Sequence, residues 1–185
     1  MSYTGIDRFI ARMRFGAAYP HIRPGSRVCD LGCGLHAAFL DYASDKISEG
    51  VGVDDQVNLV NFGRWKRIRA DLYSPLPLAD AQFDHVVMLA VLEHLRNLPP
   101  VFREAHRLLV PGGSLILTWP SALVDPILAV LRGMRMVSAE MESDEHQKRI
   151  PVARLQEILR ETGFRHFLHR RFEFGLNNLM VATRG

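Results

Sequence analysis

The segment Val28-Cys29-Asp30-Leu31-Gly32-Cys33-Gly34-Leu35-His36-Ala37 constrains this chain more than any other. An apolar run that reads as a strand passes directly into two glycines and then into a stretch with helical spacing. Glycines in a strand-to-helix turn let a bound molecule approach the backbone where a side chain would keep it away. Twenty residues after Gly34, the short apolar run Val51-Gly52-Val53 ends at Asp54. An acid at the end of a second parallel strand can accept both hydroxyls of a ribose. Strand, glycine turn, helix, strand and acid together read as a nucleoside-binding α/β unit. Facing a ligand rather than the core, Asp54 is expected to carry little of the folding energy.

The same loop bears on which nucleoside fits. Gly32-x-Gly34-x-x-Ala37 satisfies a loose dinucleotide fingerprint, so NAD is a competitor. A dinucleotide sets its anionic pyrophosphate at this helix N-terminus. Asp30, two residues before the first glycine, would repel that anion at close range. S-adenosylmethionine has no phosphate there and brings an ammonium and a sulfonium, which an acidic loop suits. Asp30 has a second reading, as a structural acid accepting hydrogen bonds from loop N–H groups, and that reading is compatible with either ligand.

Elsewhere short apolar runs alternate with amphipathic stretches, as in α/β domains. Ile6, Phe9, Ile10 and Met13 recur at helical spacing, so the N-terminal segment 1–23 reads as a helix. Pro24-Gly25 turns the chain into a first strand, Arg27 to Leu31, followed by a helix over His36 to Ile47. Val51 to Val53 is the second strand and a weak third lies near Ile68. Phe83 to Leu89 is apolar almost throughout, as a parallel strand buried on both faces should be. Pro99-Pro100 opens a helix whose stripe is Val101, Phe102, Ala105, Leu108 and Leu109. After Pro111-Gly112-Gly113 comes a strand from Ser114 to Thr118. Pro151 starts another helix with Val152, Leu155, Ile158 and Leu159 inward and Gly163 as its stop. Arg165 to Phe172 and Leu179 to Thr183 read as a closing pair of strands.

At 185 residues, 48% hydrophobic and 23% charged, the chain reads as one globular domain over 1–185. A net charge of +3 is too mild to argue for nucleic acid. Local basic groups, Arg64, Lys66, Arg67 and Arg69 or Arg165, Arg170 and Arg171, read as solvated surface. Cys29 and Cys33 are spaced C-x-x-x-C rather than C-x-x-C, with no second pair to complete a metal site, and read as reduced thiols of a cytoplasmic protein. Neither a signal core nor a transmembrane stretch is legible.

Taken in order, these segments resemble the class I S-adenosylmethionine-dependent methyltransferases, closest to the methyltransferase type 11 group. Val28 to Gly34 resembles that family's first motif, an apolar strand followed by D-x-G-x-G. Gly52-Val53-Asp54 is similar to its ribose-binding strand end. Ala70-Asp71-Leu72, Pro75 to Leu78 and Phe83-Asp84 resemble the adenine-binding turn and the lead into strand four. Val91 to Leu95 looks like the signature after strand four, and Phe102 to Gly113 like the helix and turn before strand five. The resemblance is close from Pro24 to Thr118 and looser beyond. It implies a Rossmann-like fold with helices on both faces of a mostly parallel sheet, its antiparallel last strand inserted next to the fifth. It also implies S-adenosylmethionine as cofactor. Asp30, Gly32, Cys33 and Gly34 would line the methionine end and Asp54 would hold the ribose. Asp71 and the backbone of Leu72 would meet the adenine edge, with Leu89 and Ala90 touching the methionine part. The short stretch from Asp54 to Asp71 implies a truncated helix between strands two and three.

Methyl transfer from a sulfonium needs alignment above all, and a base only if the acceptor holds its proton at neutral pH. His94, just past strand four, is the candidate base. Its alternative, shared with Glu93, is a capping or backbone-bonding role. Some relatives bind a metal through E-x-x-E-H; Ala90 stands at the first position here, so no metal is assigned. Asp144-Glu145-His146 reads as a solvated loop rather than a zinc group. Residues 120–150 follow strand five and are rich in Ile127, Leu128, Val130, Leu131, Met134 and Met136. Core packing, a lid over the acceptor, and a surface facing a homodimer partner or lipid are the three readings of that segment. The expected activity is methyl transfer to a small-molecule acceptor, lipid-linked or sugar-containing. A non-catalytic nucleoside-binding module and an NAD-dependent oxidoreductase are its alternatives.

Overall fold

The computed structural model of the protein describes residues 5–57, 59, 65–121 and 150–185. The 120–150 segment therefore lies almost wholly outside the described residues, as do Asp144, Glu145 and His146. Seven strands form one sheet: β1 (Ser26–Leu31), β2 (Ile47–Asp54), β3 (Lys66–Arg69), β4 (Phe83–Leu89), β5 (Leu109–Pro120), β6 (Phe164–Phe172) and β7 (Asn177–Arg184). Their order is β3-β2-β1-β4-β5-β7-β6. The first five are parallel, and β7 runs antiparallel between β5 and β6. This is the inserted last strand that the family resemblance implies.

Two apolar layers sandwich the sheet. On one face Cys29, Leu31, Val86, Met88, Leu115, Leu117 and Met180 pack under α3 (Leu98–Leu108) and α4 (Val152–Glu161). Phe102, Leu108, Leu155 and Leu159 supply the helical half of that layer, all fully buried. On the other face Val28, Val87, Ile116 and Leu179 meet Phe15 of α1 (Gly5–Ala18) and Phe39 and Leu40 of α2 (Ala38–Tyr42). Because side chains alternate along a strand, even-numbered positions of β1 and β5 and odd-numbered positions of β4 and β7 share this second face.

Three elements differ from their sequence pattern. The helix expected over 36–47 is a single turn and a half, Ala38–Tyr42. Ala37 adopts a left-handed conformation (φ 52, ψ 45), which resets the chain direction and bars an earlier start. The helix ends at Tyr42, and beyond it Lys46 turns back, donating from Nζ to the carbonyls of Tyr19 and Ile22 at 3.0 Å each. Strand β2 accordingly begins at Ile47, paired with Ser26, rather than at Val51. Strand β5 spans Leu109–Pro120 rather than 114–118, with Pro111-Gly112-Gly113 forming an irregularity inside it: Phe83 pairs with Leu109, but His85 pairs with Ser114. At the N-terminus, α1 stops at Ala18 and a short turn over Tyr19–His21 replaces the rest of the expected helix.

Polar ties fix the end of the sheet remote from the glycine turn. Asp84 accepts from the backbone N–H of Arg27 at 2.8 Å and from both arms of its guanidinium at 3.2 Å, which holds the Asp84 carboxyl below its ordinary range. His85, 2% exposed, accepts from the Arg23 N–H at Nε2 (3.2 Å) and so donates from Nδ1 to Ser114 Oγ (2.6 Å). Burial, followed by the nearby charge of Arg23, pushes the imidazole down to about 4.

That neutral histidine couples stability to pH. An unfolded histidine titrates near ~6.5, so the stabilisation is complete above that value and is lost as pH falls toward 4. The loss should reach roughly 3 kcal/mol. Thermal unfolding between pH 7 and pH 4 should show the fall in the native chain and a shallower one in His85→Gln, which keeps a donor and an acceptor without a titrating group.

Candidate functional site

At the carboxyl end of β1 the chain turns through Gly32 (φ 77) and Gly34 (φ 66), both left-handed. The turn is pinned by its own amides. The N–H groups of Gly32 and Cys33 donate to the Val53 carbonyl, at 2.8 and 3.2 Å, and the Gly34 N–H donates to Asp54 Oδ2 at 2.9 Å. The two glycines have different surroundings. A β-carbon on Gly32 would lie 2.4 Å from a methyl of Val91, whereas one on Gly34 would meet nothing within 4 Å. Gly52, paired with Asp30 on the next strand, makes room for the turn: a β-carbon there would sit 2.8 Å from Cys33 Sγ and 3.0 Å from Ala37 Cβ. Gly32 and Gly52 serve packing, and Gly34 faces open space.

Asp30 is 3% exposed. The amides of Gly32, Cys33 and Gly34 are bound elsewhere, to Val53 and Asp54, so Asp30 is not the acid that holds them. Burial, and next the neighbouring charge of Asp54, push its carboxyl up to about 8. The Asp54 carboxylate is busier than the sequence suggests, since Oδ1 also accepts from the Gln56 N–H at 2.9 Å. It is a structural acid for two backbone amides, contrary to the expectation that it carries little of the fold. Its remaining acceptor capacity is shared with the Asp55 side chain, which hydrogen-bonds to it. Asp55 is held above the usual carboxylate range by burial and by a hydrogen bond with Asp54.

The opposite wall comes from β4 and β5. Leu89 pairs with Thr118, and Ala90 follows in a left-handed conformation (φ 57) that a non-glycine residue adopts at a cost of about 1–2 kcal/mol. Its N–H is shared between the Thr118 carbonyl (3.0 Å) and Thr118 Oγ1 (3.2 Å), which holds the strained turn in place. Buried Val91 and Leu92 anchor the chain, and a turn over Leu92–His94 leaves Glu93 half-buried and His94 exposed. Beyond β3, exposed Asp71 accepts from the Tyr73 N–H at 3.0 Å, closing its own turn, while Leu72 packs on the core. The Tyr73 hydroxyl accepts from the Arg96 N–H at 2.6 Å and links that turn to the one carrying His94.

Asp30, Gly32, Cys33, Gly34, Asp54, Leu89 and Ala90 thus share one rim at the carboxyl edge of β1, β2 and β4. Asp71 and Leu72 continue it beyond β3, and His94 beyond β4. This edge, where the order reverses between β1 and β4, is where open α/β sheets bind ligands. Sequence reasoning missed Thr118 and Tyr73. Thr118 reads as one more residue of an apolar run, and only its register opposite Leu89 reveals its hydrogen bond to Ala90.

A family model described as a methyltransferase domain matches residues 4–168. Among curated proteins the chain is 30% identical over 112 residues to a demethylmenaquinone methyltransferase of Symbiobacterium thermophilum, covering 54% of this chain and 44% of that protein. It is 27% identical over 105 residues to phosphoethanolamine N-methyltransferase 3 of Arabidopsis thaliana, covering 52% of this chain and 21% of that protein. The chain therefore spans less than half the length of these relatives. Among solved structures it superposes on a SAM-dependent methyltransferase from Archaeoglobus fulgidus with a TM-score of 0.74 at 18% identity, covering 96% and 94% of the two chains. A SAM-dependent methyltransferase from Thermotoga maritima gives 0.73 at 18% identity, covering 96% and 90%. The family match covers most of the chain, which belongs to the methyltransferase domain family and has the Rossmann-like fold of its solved neighbours.

Proposed function

We propose that the protein transfers a methyl group from S-adenosylmethionine to a small-molecule acceptor in the cytoplasm, and that the rim just described is its cofactor site. The observation that carries this reading is Asp30, a buried carboxyl beside a turn whose Gly32, Cys33 and Gly34 amides are bound elsewhere. A buried carboxyl without donors gains from a cationic ligand, which favours its ionised form, and an anionic ligand would oppose that ionisation. The open space at Gly34 fits the group as well, since a ligand can lie against the backbone there. Asp30, Gly32, Cys33 and Gly34 would hold the methionine end, with Leu89 and Ala90 against it. Asp54 would take the ribose hydroxyls through its remaining acceptor capacity, and Asp71 with Leu72 would border the adenine. The cofactor supplies a methyl on a sulfonium, a good leaving group, so the chain's own task is alignment and the exclusion of water. The free thiols Cys29 and Cys33 suit a reducing compartment, and no described helix is long and apolar enough to cross a membrane.

His94 belongs to the acceptor side in this reading. It is exposed, on a turn held by its own N–H to the Val91 carbonyl at 3.0 Å, and adjoins the strained end of β4. A neutral imidazole there can take a proton from a hydroxyl or amine acceptor.

The Asp30 reading has an uncommon signature, because its two effects have opposite sign. A carboxyl raised from its unfolded value to about 8 makes the ligand-free fold less stable as pH rises from ~4 to ~8. Asp30→Asn should therefore raise the melting temperature of the ligand-free protein at pH 8 while weakening S-adenosylhomocysteine binding by about tenfold or more. A variant that melts lower and binds normally would remove Asp30 from the site. The glycines separate in the same way. Gly34→Val should fold, with a modest loss from its left-handed backbone, yet fail in calorimetry with S-adenosylhomocysteine. Gly32→Ala should lose thermal stability through its clash with Val91. For His94→Ala, a fall in turnover of ~10²–10⁴-fold at unchanged cofactor affinity would mark a base. A rise in the acceptor Michaelis constant alone would mark an acceptor contact, and full activity would exclude both.

A further inference from the structure

Four strands place a row of residues on one face of the sheet at its carboxyl edge. Asp30 of β1, Leu89 of β4, Thr118 of β5 and Asn177 of β7 all lie on the face that also carries Val28, Val87, Ile116 and Leu179. The first three border the cofactor rim. Asn177 pairs with Pro120, two residues past Thr118, so it stands one strand further out on the same edge. It is 5% exposed. Its side-chain N–H donates to Glu173 Oε2, and among the described residues Asn177 Oδ1 and Glu173 Oε1 are buried acceptors without a partner. An orphaned buried oxygen costs about 1–3 kcal/mol, and two side by side require an account.

The surrounding chain keeps that pair from relaxing. Glu173 (φ 51) and Phe174 (φ 54) are consecutive left-handed non-glycine residues, followed by Gly175 (φ 88). Ser121 fixes this turn to the end of β5: its N–H donates to the Leu176 carbonyl at 2.7 Å and its hydroxyl to the Gly175 carbonyl at 2.5 Å. Local strain held by hydrogen bonds from a neighbouring strand is the pattern of a built site. Both free oxygens are acceptors and one belongs to a carboxylate, so the ligand they suit is a donor carrying positive charge.

We propose that Glu173 and Asn177 form an acceptor subsite that binds a protonated amine of the methyl acceptor through N–H donation to Glu173 Oε1 and Asn177 Oδ1. The proposal rests on the methyl-transfer reading above and names the chemistry of its acceptor. Glu173 is a positioning residue here, holding the acceptor while the methyl is delivered nearer to Ala90.

The test is a titration followed by amide proton–nitrogen correlation spectra, with the protein saturated with S-adenosylhomocysteine. Three probes are compared at matched ionic strength: ethylammonium, tetramethylammonium, which has charge but no N–H, and ethanol, which donates without charge. Ethylammonium should shift the amides of 173–178 saturably and bind about tenfold more tightly than either other probe. Glu173→Gln should weaken that binding by about tenfold at an unchanged melting temperature. Should Glu173→Gln fail to fold, Asn177→Ser gives the second reading, since it removes the amide oxygen while keeping a short donor. Absence of saturable shifts, equal binding in the variants, or equal binding of tetramethylammonium, which would point to the exposed ring of Phe174, overturns the proposal. Failure of S-adenosylhomocysteine to bind would instead overturn the cofactor reading, and the same amine titration on the ligand-free protein would still report on Glu173 and Asn177.

Discussion

The carbonyl of Val53 is the hinge on which the site depends. By accepting from both Gly32 and Cys33 it folds the first loop over the end of the second strand, and only Gly52 leaves room for that approach. The consequence is electrostatic. With the loop amides already satisfied, Asp30 is buried without the donors that normally hold a carboxylate ionised, and Asp54 adds its charge close by. The ligand-free protein therefore carries a local electrostatic tension that a cationic ligand would relieve. Stability given up in this way is a trade common to functional sites, and it fits the binding role proposed for Asp30.

Much of this was legible before any coordinates. The D-x-G-x-G turn between Val28 and Gly34, and an acid twenty residues on, need only the strand–loop–strand geometry to be read as a nucleoside rim. Those residues do meet at one edge. The α/β class and the helix stripes of α3 and α4 follow from run length and period, because buried parallel strands and amphipathic helices leave distinct patterns, whereas the antiparallel insertion was implied by the family resemblance alone. Element ends were less legible. Nothing in His36-Ala37 announces a left-handed alanine, so the second helix looked more than twice its length. The irregularity at Pro111-Gly112-Gly113 looked like a plain turn, although the chain resumes pairing with β4 on both sides of it.

Long-range roles were the least legible. That Asp54 serves two backbone amides, that Thr118 holds Ala90 and that Tyr73 is tied to Arg96 depend on register and on which strand lies beside which. His85 sits within an apolar strand, and its two hydrogen bonds, to Arg23 and Ser114, come from segments 62 and 29 residues away. Periodicity reports what is buried, and it is silent on which polar atoms are paired after burial.

The order β5-β7-β6 sets a condition on assembly. Strand β6 touches the sheet only through β7, which follows it in the chain. When β6 emerges during synthesis it has no edge to join, since the edge of β5 belongs to a strand not yet made. The hairpin of β6 and β7 must form first or dock as a unit, and until then β5 keeps an exposed apolar edge of the kind that recruits unwanted strands. The turn at 173–176 is the hairpin's connection, and Ser121 grips it from the end of β5. The residues that close the last gap in the sheet are thus also those that bring Glu173 and Asn177 to its carboxyl edge, so a chain that has not finished folding has no such edge to offer a ligand.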